Sequence, residues 1–278
     1  MKEIRNILSE YEKNKEEQEM ALATVVKVRG SSYRSPGARM LIRKDGRWTG
    51  SISGGCLEGD ALRKARQIMV SKQPELVTYD TMDDDNDIGV GLGCNGIIDV
   101  LIEPISKKNN PTDRLKALLG MENVTVVATI FRSSLPEIAV GIQCQINQKG
   151  KPEGLSEDND LNKAIYNDLE EVLVSRKATV KSYAEDKVEV FFELIEPSID
   201  LQIFGGGFDA RPVVELAKTL GWHVSVADEC IAHIAPANFP SADEVKLCTR
   251  DFIPEIVQVK PYTAAVLMSH NYPYDYAV

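Results

Sequence analysis

Two cysteines stand in glycine-rich backbone, and their neighbours define the chemistry open to them. Cys56 lies in Ser53-Gly54-Gly55-Cys56-Leu57-Glu58-Gly59, directly before apolar residues at helical spacing (Leu57, Ala61, Leu62, Ala65, Ile68, Met69), which places Cys56 and Glu58 in the first turn of an expected helix. The positive end of a helix dipole there favours the thiolate, the form that carries sulfur or ligates a soft metal. The amides beside Gly54 and Gly55 offer a seat for a phosphate. A small buried apolar side chain in a tight turn is the competing reading of the same cysteine. Cys94 repeats the theme in Gly89-Val90-Gly91-Leu92-Gly93-Cys94-Asn95-Gly96, ahead of an expected strand. Upstream, Gly30-Ser31-Ser32-Tyr33-Arg34-Ser35-Pro36-Gly37-Ala38-Arg39 supplies hydroxyls and the guanidinium groups of Arg34 and Arg39, suited to an anionic ligand.

A second kind of chemistry is written near the C-terminus. Gly205-Gly206-Gly207-Phe208-Asp209-Ala210 has the G-x-G-x-x-A spacing between an expected strand and an expected helix, the context of a dinucleotide fingerprint. Gly205 would allow the tight turn, Gly207 the approach of phosphate to the backbone, and Ala210 close helix packing. Asp228, about 20 residues further on, stands where a carboxylate meets a ribose hydroxyl. These residues point to NAD(P); Asp209 inside the turn disfavours an anion, so a Rossmann fold serving another ligand stays open. His270, followed by Asp275, lies past the last expected strand as a candidate acid/base or ligand-binding residue, with a local hydrogen-bonded turn as the alternative. The acidic run Asp83-Asp84-Asp85-Asn86-Asp87 fails the calcium-loop pattern, because Ile88 and Cys94 stand where that pattern needs Gly and Glu.

Positioning these residues takes two domains, and the fold class expected is α/β. Over residues 1–196 the periodicities predict an α+β domain: a helix to Asn14, strands over 22–28, 40–43, 48–52, 76–79 and 97–102, and the helix after Cys56. They continue with a helix over 113–119, strands over 124–130 and 138–146, a helix over 160–174, and strands over 179–180 and 188–194. After Glu196-Pro197-Ser198, residues 197–278 alternate β, α, β, β, α, β, the pattern of a Rossmann-like parallel sheet. Because the sequence stops inside a helix just past a fourth strand, this second domain is expected to be shortened at its C-terminus or to have its sheet edge covered by a neighbouring protomer.

Composition excludes several classes. A net charge of −10 without clustered Lys and Arg argues against a nucleic-acid binder. No apolar run approaches the roughly 20 residues of a membrane helix, and the charged start lacks a signal-peptide core. The five cysteines contain no CxxC pair, which fits free thiols in a reducing cytoplasm and no structural zinc site.

Five words of the sequence, in order, resemble the XdhC/CoxI family of maturation factors for xanthine dehydrogenase and related molybdenum hydroxylases. They are the stretch from Gly30 to Met40, Gly50-Ser51-Ile52 continuing through Gly59, Gly91 to Gly96, Phe204 to Pro212, and Met268-Ser269-His270-Asn271-Tyr272. The resemblance implies an N-terminal XdhC/CoxI domain, a C-terminal Rossmann-like domain, and a non-enzymatic chaperone. Such a protein binds the molybdenum cofactor (molybdopterin) transiently, shelters it during sulfuration and inserts it into the apo-form of a xanthine dehydrogenase-like hydroxylase. Expected partners are that client, a cysteine desulfurase and further copies of this chain. By position, Cys56 and Cys94 become candidate cofactor-handling thiols and Gly205, Gly207 and Asp228 a candidate nucleotide site; Gly54, Gly55, Arg34, Arg39 and His270 join them as candidate cofactor-binding residues on their own chemistry. An NAD(P)-dependent oxidoreductase using the Rossmann-like domain is the alternative, and a pure scaffold for the desulfurase a third reading. Asn95 stands where the family more often has glycine.

Overall fold

The structure, a computed structural model, describes residues 1–81, 95–107, 109–147 and 160–278. Cys94 and the acidic run at 83–87 lie outside them. The chain forms two compact units, Glu3–Glu196 and Pro197–Val278, the latter with Met1–Lys2.

The first unit is built on two antiparallel sheets. Its elements are α1 (Lys2–Asn14), β1 (Met20–Gly30), β2 (Arg39–Arg43), β3 (Trp48–Gly50), α2 (Glu58–Ser71), β4 (Glu75–Asp80) and β5 (Gly96–Pro104), then α3 (Pro111–Leu119), β6 (Thr125–Ser133), β7 (Gln143–Asn147), α4 (Asp160–Ser175), β8 (Thr179–Tyr183) and β9 (Val188–Ile195). The sheet orders are β3-β2-β1-β5-β4 and β7-β6-β9-β8. Alternation along the strands sorts the side chains. In β5, Ile98, Val100 and Ile102 join Ala61, Ala65 and Ile68 of α2 in one core, while in β9 Val188, Val190 and Phe192 join Ile165, Leu169 and Val172 of α4 in another. Opposite faces bring Val26 and Leu101 against Phe131 and Phe191, making four layers in the order helix, sheet, sheet, helix.

Between the sheets, inward positions also carry charge. Asp99 is wholly buried and meets Arg29 at 3.0 Å; Glu189 meets Lys27 at 2.6 Å and Arg132 at 2.7 Å; Glu103 meets Arg114 and Glu193 meets Arg39, both at 2.5 Å. Each buried carboxylate has a cation within reach, which is what keeps such a layer tolerable away from water. Bulges at Val25/Lys27 and Ile130/Arg132 shift the register where the charged layer begins.

Two expectations shift. The strand foreseen over 138–146 begins only at Gln143: Ile138 closes a turn onto Leu135, and Gly141, at φ +90°, gives its amide to Ile130 of β6, where the regular ladder ends. The helix after Cys56 begins at Glu58, so Cys56 precedes the first turn.

The second unit has β10 (Asp200–Phe204), α5 (Ala210–Leu220), β11 (His223–Asp228), β12 (Glu244–Leu247), α6 (Ile253–Ile256, led in by a 3-10 turn), β13 (Thr263–Leu267) and α7 (Tyr272–Ala277). All pairs are parallel, in the order β12-β11-β10-β13. The order reverses between β10 and β13, the crevice where open α/β sheets bind ligands. Among the described residues, no helix is long and apolar enough to cross a membrane.

Candidate functional site

Three of the sequence words meet at one end of the first unit. The loop after β1 is tied down where Ser31 N donates to Asn95 O at 2.9 Å, and Asn95 leads into Gly96, whose amide and carbonyl are both bonded by Thr81 Oγ1. The turn from Ser53 to Leu57 lies against the same loop. A Cβ at Gly54 would sit 3.3 Å from Tyr33 Cγ, so a bare backbone is what lets the ring rest there. A small cavity between them is lined by Ser32, Tyr33, Ser53, Cys56, Leu57, Thr81 and Ile98. Cys56 is exposed at this place and forms no disulfide.

Several amides of this turn are already occupied. Glu58, at the start of α2 and only 3 % exposed, folds back over them. Its Oε1 accepts from Ser51 Oγ (2.8 Å), Ile52 N (3.2 Å) and Ser53 N (2.9 Å), and its Oε2 from Ser53 Oγ (2.5 Å) and Gly55 N (2.9 Å). Burial by itself raises a carboxyl pKa; here the Ser53 hydroxyl and amide and the Ser51 hydroxyl outweigh it and hold Glu58 at about 2. At the phosphate seat foreseen beside Gly54 and Gly55, the Gly55 amide is taken by the chain's own carboxylate. Beside it the Cys56 thiol and the Tyr33 ring are exposed. The three-residue step from Gly55 to Glu58, a glutamate reaching back to an amide ahead of its helix, is the signal that betrays this role.

The two arginines also go elsewhere. Arg34 forks onto both carboxylate oxygens of Glu3 at 2.7 Å. Arg39 is buried between the sheets, donating to Gly37 O (2.8 Å) and to Glu193 (2.9 and 2.5 Å). A guanidinium so enclosed stabilises the layer it sits in and does not reach an external anion, which corrects the expectation for Arg39. Cys144, a further free thiol, is buried in the core under α4, and that burial pushes it up to about 12.

In the second unit the glycine turn is closed tightly. Gly205 has φ +121°, and a Cβ there would lie 2.4 Å from the carbonyl group of Met268, at the end of β13. Asp228 is only 5 % exposed and accepts from Gly206 N (2.7 Å), Cys230 N (2.7 Å) and His233 Nδ1 (3.0 Å). Burial opposes its ionisation, but the two amides and the imidazole prevail, and its pKa is lowered. The carboxylate foreseen on a ribose thus also braces the turn. Asp209 stands over Gly207, its Oδ1 2.6 Å from where a Cβ would be, and its Oδ2 meets His270 Nε2 at 2.8 Å. That bond to His270 leads the causes that lower the Asp209 pKa, so the helix start carries a negative side chain where a diphosphate would lie. His270 and Asp275 do not pair: Asp275 accepts from Ser269 Oγ at 2.5 Å. Among the described residues, no group of three or more His, Cys, Asp or Glu is placed to hold a metal ion.

Fold and site together define a protein with an exposed thiol on a double-sheet unit, joined to a Rossmann-type unit whose turn is braced by carboxylates. The family models agree unit by unit: the XdhC and CoxI family model matches residues 14–80, and the XdhC Rossmann domain model matches residues 201–278. The chain belongs to the XdhC/CoxI family. It is 29 % identical over 265 residues to a Bacillus subtilis protein described as a probable xanthine dehydrogenase subunit, covering 95 % of this chain and 76 % of that one. Over 58 residues it is 41 % identical to the molybdenum cofactor insertion chaperone PaoD of Escherichia coli, covering 21 % of this chain and 18 % of that one. A crystal structure of a xanthine dehydrogenase from Bacillus halodurans superposes with a TM-score of 0.76 at 29 % identity, covering 99 % of this chain and 76 % of that one.

Proposed function

We propose that this protein is a cytoplasmic maturation factor for a xanthine dehydrogenase-type molybdenum hydroxylase. It binds the molybdenum cofactor as cargo, shelters it while a terminal oxo ligand is exchanged for sulfur, and passes it to the apo-enzyme. The observation that carries this reading is Cys56: an exposed thiol held by a turn that Glu58 locks from within, inside the segment matched by the XdhC and CoxI family model. A thiolate is a suitable soft ligand or sulfur-relay group for such cargo. The names of the relatives support the client and the cargo. A cysteine desulfurase as sulfur source and self-association of this chain belong to the same proposal.

The test is retention of pterin. Protein isolated from cells that make the cofactor is oxidised and its pterin read by fluorescence. Wild-type protein is expected to carry pterin and a Cys56→Ala, Cys94→Ala double variant to lose it; unchanged retention removes the thiol assignment. The competing oxidoreductase needs NAD(P) on the glycine turn, where Asp228 and Asp209 already stand. Calorimetry with either nucleotide at millimolar concentration is expected to give no heat of binding.

A further inference from the structure

Glu58 takes up the amides of Ile52, Ser53 and Gly55, so side chains are a large part of what a ligand beside Cys56 would meet. One of them is unusual. Tyr33 is 74 % exposed, the most exposed aromatic among the described residues of the first unit, yet its ring is seated: its base rests on the bare backbone of Gly54, 3.3 Å from where a Cβ would begin. The loop that carries it is pinned by the Ser31 to Asn95 bond, and Tyr33 and Cys56 line the same small cavity. Single exposed apolar side chains are ordinary. A tyrosine whose base rests on a glycine beside an exposed thiol is different, because it offers a flat ring face that has only two side-chain torsions to order when a ring settles on it.

We infer that Tyr33 is a stacking platform for the flat pyrimidine ring of the cargo's pterin, with the Cys56 thiol beside it. This rests on the proposed handling of molybdenum cofactor and adds to it the residue that recognises the organic part. The platform works through its π-face, so the phenolic hydroxyl is dispensable and a larger aromatic serves as well.

The experiment loads the full chain with cofactor freshly released from a purified molybdenum hydroxylase, passes it through a desalting column and measures retained pterin. Tyr33→Phe and Tyr33→Trp are expected to hold as much as the native protein. Tyr33→Ala and Tyr33→Leu are expected to release it about tenfold faster, in line with the loss of one aromatic stacking contact. Tyr33→Leu keeps bulk over Gly54, so its failure separates a lost π-face from a collapsed loop; alkylation of Cys56 in the unloaded variant, expected at the native rate, checks that the turn is intact. Native-like retention by Tyr33→Leu or Tyr33→Ala overturns the platform while leaving the proposed function standing. Loss in Tyr33→Phe overturns it in favour of a hydroxyl contact. A native protein that retains no pterin overturns both readings.

Discussion

Two glycine turns lead into helices in this molecule, one at Ser53 to Glu58 and one at Gly205 to Ala210, and each has a carboxylate on amides that a phosphate would otherwise use. The carboxylates differ in origin. Glu58 comes from the turn's own continuation and gathers five donors within seven residues of chain. Asp228 comes from the neighbouring strand β11 and braces Gly206 from across the sheet, leaving Asp209 and His270 to cover the helix start. A locally closed turn is a rigid mount for the group next to it, here Cys56. A turn braced through the sheet holds two strands and a helix together.

The largest expected effect falls on the local lock. Glu58→Ala leaves several donors facing a gap and should destabilise the first unit by about 3 kcal/mol. Asp228→Ala strands fewer donors nearer to solvent, so about 1–2 kcal/mol is expected in the second unit. Urea unfolding followed by hydrogen exchange in each unit reads both values, and equal losses would erase the proposed difference in kind.

Acid sharpens the comparison further. The folded pKa of Glu58, about 2, lies below its ordinary value of 4.5. Its contribution is therefore complete above the unfolded value and is lost as pH falls from 4.5 towards 2, an effect of about 2–3 kcal/mol. Thermal melts across that window should show a shallower decline for Glu58→Gln than for the native protein.

The smallest effect concerns ligand choice at the second turn. Asp209→Ala removes the negative side chain over Gly207 and should leave stability within about 0.5 kcal/mol. Phosphate or ADP, at most barely detectable on the native protein, should bind several-fold more tightly; unchanged titrations would show that Asp228 alone excludes the anion.

Much of this was legible in the chain. The 3.6-residue period after Cys56 and the alternation along β1, β5 and β9 foretell the elements, and the glycine spacing at Gly205 foretells a parallel sheet, because these patterns are local consequences of helix and strand geometry. The site was legible only as residue types in the right words. Arg39 reads as an anion ligand until Glu193, 154 residues away, closes on it between two sheets. Asp228 reads as a ribose ligand, and only the structure shows its side chain turned onto Gly206. Tyr33 carried no signal, since nothing local tells that an exposed ring will be seated on Gly54. Sequence alone thus determined the element order, the family words and the glycine framing of Cys56, all of which depend on near neighbours. Only the tertiary structure decided which carboxylates fill the glycine turns and which charges are buried, because desolvation and pairing depend on distant residues brought within a few ångströms.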